Sequence, residues 1–465
     1  MKKLFCFLFN NAINIIFIAL FLLSISLIFF KFSLVADGVF MFINTLKNFV
    51  WGDSRSFVTF LLNFPTIFFI VCKIYSFKII FGIQSFWYLF INIACLYVIY
   101  LLLDKKNKNY ILLPLISNLL CLIFSGTFLA SESLLTANLY WIVLYYFSFI
   151  DFQKINIKIL PIIYIALFFL IKSYEMMAIL SIFLIIPFII RKKEFIILNI
   201  KDKLLICSFI LFVIIIFIFH VYWLYDSTST YRYSYPIREF FCNKYILLIL
   251  ISLILFYLCV LFAFFCKTKY IIFFQITIFL ILTIIFFKYN FLFGLGVYRF
   301  LNFIITFIFS ILFIFIFFWK IKINILILKN IALFLVFILV FNFTSFNLKW
   351  NKTINDFCLY IENSNSNIIY VSQFKKNFNW IFENEHLLPW LSLIVQNIFG
   401  NRKIYNIICI DNDNWANDWR LFNISKKIKW LPKLQKFGII YSNDLLQQIE
   451  NKERKEKNVQ DFNDL

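Results

Sequence analysis

The sequence is poor in charge, in glycine and in histidine, and each scarcity excludes a class of protein. Charged residues make up only 14% of the chain, while 63% of its 465 residues are hydrophobic and 22% aromatic. A typical soluble domain is about half apolar and a quarter charged. No water-soluble core hides this much apolar surface, because surface and volume scale against it. The two histidines, His220 and His386, lie far apart. No spacing of His ligands suits a metal, and no metal is indicated, although a divalent ion remains compatible with the chemistry discussed below. Eight glycines form neither a phosphate-binding loop nor a dinucleotide fingerprint. No internal repeat is visible. Ten cysteines give no C-x-x-C pair. Most, such as Cys95, Cys121, Cys207 and Cys259, sit in apolar runs and read as small hydrophobes. Cys358 and Cys409 lie in a more polar region, and sequence does not decide whether they pair.

What is present is a series of about eleven apolar runs, each close to the length a lipid bilayer requires. The net charge is +21. In a soluble chain that excess would point to nucleic acid. Here most lysines before residue 347 fall in short connections between apolar runs, where they orient helices, so no nucleic-acid partner is implied. The dominance of Phe, Ile, Lys and Asn matches AT-rich coding sequence, suggesting a bacterial source and carrying no function.

The lysines order the runs. Lys2 and Lys3 place the N-terminus in the cytoplasm. The first run, Ala12 to Phe30, is too long for a signal-peptide core of about 7–15 residues and reads as an uncleaved helix. An outer segment, 32–83, follows, broken by Asp37, Asp53, Arg55, Pro65 and Lys73, and is expected to carry helices lying in the membrane interface. Further runs are expected over Gln84–Leu103, Tyr110–Thr127 and Leu134–Ile150, then ending near Lys172 and at Arg191-Lys192-Lys193. Others are expected from Lys203 to Tyr225, over Tyr245–Phe265, ending near Lys288, over Phe300–Trp319 and over Asn330–Phe346. Alternate connections are rich in lysine, which puts the C-terminus on the outer face of a cytoplasmic membrane. Residues 1–346 are therefore read as a membrane domain and 347–465 as a small extracytoplasmic α/β domain. In it, Asn367–Val371, Tyr405–Ile410 and Gly438–Tyr441 read as short buried strands, and 450–465 as a charged tail.

Three asymmetries single out the outer face. Of the arginines in the membrane part, Arg55, Arg232, Arg238 and Arg299 map outside and only Arg191 inside. Guanidinium groups suit bidentate binding of phosphate, though an Arg that merely snorkels to headgroups would have the same distribution. Asp37, Asp53, Glu132, Glu175, Asp226 and Glu239 also map to outer connections. Glu132 and Glu175 sit in very short turns, and acids so near lipid are costly unless they face a polar cavity. The plainer alternative is a helix N-terminus, which Ser131 or Ser173 with an early Glu would favour. Finally, the membrane-part glycines (Gly38, Gly52, Gly82, Gly126, Gly294 and Gly296) all map to the outer side. The spans then lack the glycine-broken segments that mark many transporter sites.

This layout resembles the GT-C class of membrane glycosyltransferases, which use polyprenyl-phosphate sugars. The matching features are Asp37 after the first helix, Asp53-Ser54-Arg55 in the same outer loop and Glu132 in a short second outer loop. Arg299 in Tyr298-Arg299-Phe300, at the start of a late helix, and a terminal outer domain complete the match. The first loop has no Asp-Glu dipeptide. Asn412-Asp413-Asn414-Trp415 and Asn417-Asp418-Trp419 are only superficially like a W-W-D motif, which argues against the oligosaccharyltransferase branch. The resemblance implies an all-α polytopic fold and inverting transfer from a lipid-linked sugar donor. Asp53 or Asp37 would serve as catalytic base, with Arg55, Glu132, Glu175, Arg232, Arg238 and Arg299 about the substrate and its phosphate. The competing classes are a transporter or flippase, which predicts charge at mid-helix depth, a surface-polysaccharide polymerase or ligase, and a membrane scaffold.

Overall fold

The computed structural model describes residues 11–29, 57–74, 76–125, 132–151, 157–173, 177–225, 295–318, 325–363, 368–370 and 407–409. Their helices are α1 (Ala12–Phe29), α2 (Phe57–Val71), α3 (Phe77–Leu102), α4 (Leu112–Ser125), α5 (Glu132–Phe149) and α6 (Leu160–Ile171). Then come α7 (Met177–Ile190), α8 (Lys192–Ile197), α9 (Ile200–Tyr225), α10 (Leu295–Phe318) and α11 (Ile325–Asn363). A 3-10 turn, Lys108–Ile111, leads into α4. Five of these helices contain stretches long and apolar enough to cross a membrane: Ala12–Phe29, Lys78–Leu102, Ile200–Tyr222, Phe300–Phe318 and Ile325–Ser345. The chain is a multi-pass helical membrane protein.

The surface of α9 makes the physical case. Ile206, Phe209, Val213, Ile216 and His220 are buried at three- and four-residue spacing, the period of one helix face. Leu204, Leu211 and Ile218 form an exposed stripe on another face. In water such a stripe is a liability, whereas in hydrocarbon it is matched by its solvent. The helix is started by Asn199, whose side-chain carbonyl accepts from the Asp202 N–H at 2.9 Å, an N-cap bond.

The chain divides into two compact units. One comprises Met1–Ile25, Ser54–Leu62 and Tyr88–Thr344. At its centre is α5, packed by α4, α6, α7 and α10, with every side chain from Ser133 to Ser148 buried. A relay of amides ties three of its helices. Asn118 Nδ2 on α4 donates to Asn138 Oδ1 on α5 at 2.9 Å. Asn138 Nδ2 donates to Asn92 Oδ1 on α3 at 2.8 Å, and Asn92 Nδ2 closes on its own helix at the Tyr88 carbonyl. Aromatic packing fills much of the remainder: Tyr145 stacks on Phe313 of α10 with centroids 4.5 Å apart, and Phe147 meets Phe188 of α7 at 4.7 Å.

The second unit comprises Ser26–Asp53, Asn63–Trp87 and Ser345–Leu465. Pro65 lies inside α2 and removes one helical donor. The next donors turn to a side chain: the Thr66 N–H and hydroxyl both reach Gln84 Oε1, at 3.3 and 2.7 Å. Past α2, Lys73 adopts a left-handed φ of 57°. The Lys73 N–H bonds the Ile70 carbonyl and the Ile74 N–H bonds the Phe69 carbonyl, which is a Schellman stop. Strands β1 (Ile368–Tyr370) and β2 (Ile407–Cys409) pair in parallel, Ile368 opposite Ile407 and Tyr370 opposite Cys409.

Several boundaries differ from the sequence expectation. Helix α3 begins at Phe77 rather than Gln84, so the outer segment 32–83 ends inside a helix. Lys78 and Gly82 are both accommodated in that helix: lysine extends its amine away from apolar surface, and a Cβ at Gly82 would meet only ordinary contact at 3.5 Å with Ile28. Helix α11 does not end near 346 but continues to Asn363. Residues 347–363 contain no Pro or Gly, and Ile354, Phe357 and Cys358 keep a buried stripe at helical spacing. The expected runs over Tyr245–Phe265 and up to Lys288, the strand Gly438–Tyr441 and the tail 450–465 lie outside the described residues.

Candidate functional site

Helices of the first unit alternate in direction, so their termini gather at two ends. At one end Arg191 fastens the exits of α5 and α7. Its Nη1 donates to the Ser148 and Ile150 carbonyls at 3.1 and 2.8 Å, and its Nε donates to Glu194 at 3.0 Å. Lys105, Lys106, Lys192 and Lys193 are exposed at the helix termini there. The Tyr145 hydroxyl donates to the Tyr110 carbonyl at 2.7 Å and ties the α4 entry to the same end.

The other end carries the candidate site. The Thr59 hydroxyl, in the first turn of α2, donates to Glu132 Oε1 at 2.7 Å, at the start of α5. One residue on, Ser133 Oγ accepts from Asn302 Nδ2 of α10 at 3.0 Å. The Phe57 N–H bonds the Lys172 carbonyl at the end of α6 at 2.6 Å, and Phe57 stacks on Phe168 with centroids 4.9 Å apart. His220 Nε2 lies 3.1 Å from the Leu170 carbonyl, joining the last turns of α9 to α6. Five chain segments thus meet through polar contacts at one end of the bundle.

Of the residues singled out from sequence, Glu132 is half-buried there and held by Thr59. Its place in the first turn of α5 also suits the positive end of the helix dipole. Arg299 lies on α10, one turn before Asn302. Asp37, Asp53, Arg55, Glu175, Arg232 and Arg238 lie outside the described residues. Thr59 and Asn302 were not singled out. The available signal was a hydrogen-bonding side chain in the first turns of otherwise apolar helices.

Just inside this end is a cavity of about 10 Å³, walled in part by Ser133, Thr136, Asn302 and Thr306. Asn302 Oδ1 and Thr136 Oγ1 are buried without a hydrogen-bond partner in the protein. The volume is about that of one water, whose two hydrogens would serve two such acceptors. Among the described residues, no three His, Cys, Asp or Glu side chains form a group suited to a metal. Buried polar side chains among them are Ser, Thr, Asn, Gln and His220, with no buried Asp, Glu, Lys or Arg.

No protein-family model, curated protein or solved structure matches the chain.

Proposed function

We propose that the protein is a membrane glycosyltransferase of GT-C type that moves a sugar from a polyprenyl-phosphate donor to an acceptor at the outer face of the cytoplasmic membrane. The observation that carries this reading is the meeting of Glu132, Thr59 and the Asn302 turn of α10 at one helix end, away from the lysine-rich end. Thr59 follows Asp53-Ser54-Arg55 closely in the chain, and Asn302 follows Arg299 by one turn. The absence of buried charge among the described residues weighs against a transporter with ionisable groups at mid-depth.

On this reading the protein has about eleven spans, a cytoplasmic N-terminus and an extracytoplasmic α/β domain of which β1 and β2 are part. The carboxylate of Asp53 or Asp37 takes the proton of an acceptor hydroxyl as its oxygen attacks the anomeric carbon. The bond from that carbon to the donor phosphate breaks, its electron pair leaves on the polyprenyl phosphate, and arginines, Arg299 among them, stabilise the charge. The remaining candidates, Arg55, Glu132, Glu175, Arg232 and Arg238, surround the donor.

The test is sugar transfer from polyprenyl-phosphate donors by the purified full chain and by Asp37→Asn and Asp53→Asn. Asn caps a helix about as well as Asp. Loss of a base costs about 10²–10⁴-fold in rate, and loss of a cap almost nothing. Full transfer by both variants eliminates the loop carboxylates as the base. A wild type that transfers from none of the donors counts against the enzyme reading and favours the transporter.

A further inference from the structure

The lysine-rich end encloses a second cavity, of about 790 Å³. That is within the range of about 300–1,000 Å³ usual for small-molecule sites. Among its lining residues, Lys106, Asn107 and Asn109 provide amine and amide donors, and Phe149 and Phe317 provide an aromatic wall. The lining carboxylate, Glu194, is already paired with Arg191, so among the described lining residues the unpaired charge offered to a ligand is that of exposed Lys106. Ile190 and Ile325 also line the cavity, yet are 47% and 39% exposed, so the polar chamber opens directly onto apolar surface.

This juxtaposition describes an amphiphile. A free anion would leave the aromatic wall and the isoleucine opening without purpose, and a neutral lipid would leave Lys106 without a partner. We propose that the cavity binds one anionic phospholipid, with its phosphate against Lys106, Asn107 and Asn109 and its acyl chains leaving along Ile190 and Ile325. The site lies at the opposite end of the bundle from Glu132 and is independent of the transferase reading. Headgroup binding by basic pockets between spanning helices follows from elementary electrostatics, at about fivefold in affinity per favourable charge.

The test counts lipid retained by the full chain in neutral detergent, using native mass spectrometry with phosphatidylglycerol or phosphatidylcholine added. Phosphatidylglycerol is expected to be retained over phosphatidylcholine by about fivefold or more. Lys106→Gln abolishes that preference and Asn109→Asp reverses it, while Lys192→Gln, at the same end but outside the cavity lining, preserves it. Equal retention of the two lipids by the wild type overturns the proposal. So does an equal loss in Lys106→Gln and Lys192→Gln, which would mean diffuse attraction to a basic surface. Displacement of phosphatidylglycerol by inorganic phosphate at millimolar concentration also overturns it, by assigning the cavity to a free anion.

Discussion

Thr59 donates its hydroxyl proton to Glu132 Oε1 at 2.7 Å, across 73 positions of chain. A hydrogen bond to a carboxylate contributes about 1.5–3 kcal/mol where water is partly excluded. Both partners are half-buried, so the lower half of that range applies. Thr59→Val should lower unfolding stability by about 1.5–2 kcal/mol, and Glu132→Gln by a similar amount. The two losses should not add. Additivity within about 0.5 kcal/mol in the double variant would mean the contact is energetically empty.

Asn138 sits in the middle of the amide relay, accepting from Asn118 and donating to Asn92. Asn138→Leu strands a donor on α4 and an acceptor on α3 in a dry interior. The expected loss is about 2 kcal/mol, read as a fall in thermal stability in detergent. Asn118→Leu strands only one partner group and should cost less. The reverse order would refute the central place of Asn138 in the relay.

Arg191 holds two carbonyls and a carboxylate at once, which a planar fork does and an ammonium does not. Arg191→Lys should therefore destabilise the chain nearly as much as Arg191→Gln, by about 2–3 kcal/mol. Full rescue by lysine would show that only the charge matters at this position.

Lys73 occupies a left-handed position that costs a side-chain-bearing residue about 1 kcal/mol and glycine almost nothing. Lys73→Gly should raise the melting temperature without altering function. A fall would mean that the lysine side chain makes compensating contacts.

The lysine alternation can be checked independently of any activity. Reporter fusions at Lys193 and Leu465 should fall on opposite sides of the membrane, Lys193 inside. The same side for both sinks the proposed topology.

The helices were legible in the sequence where apolar runs were long and flanked by lysine. Their boundaries were less legible: α9 starts at Ile200, behind the Asn199 cap, and not at the expected Lys203. The start of α3 was missed because the residues from Phe77 on were grouped with an outer segment broken by charges and Pro65, although they continue the apolar run into the helix. The end of α11 was missed because the composition turns polar at 347 while the buried stripe Ile354, Phe357 and Cys358 keeps the helical period. Of the candidate site, Glu132 and Arg299 were visible as polar residues at helix starts. Thr59, which holds Glu132, and Asn302, which holds Ser133, were hidden because a single hydroxyl or amide in an apolar run has no local signature. The same holds for Asn92, Asn118 and Asn138, whose abundance in AT-rich coding sequence masks the three that bond to one another.

Helix α5 is enclosed by its neighbours along its whole length, and it is not among the five stretches apolar enough to cross a membrane on their own account. It carries Thr136, Asn138, Tyr140, Tyr145, Tyr146 and Ser148 into the interior. For this segment the solvent is other protein, not lipid. As the ribosome delivers the chain, α5 alone is a poor candidate for release into the bilayer, because Asn138 and Tyr145, which bond other segments in the bundle, would meet hydrocarbon without those partners. Its residence there depends on α3 and α4, which precede it, and on α6, α7 and α10, which follow. The middle of the bundle is thus a product of assembly, and a defect in α10 is expected to show itself first as failure to retain α5 in the membrane.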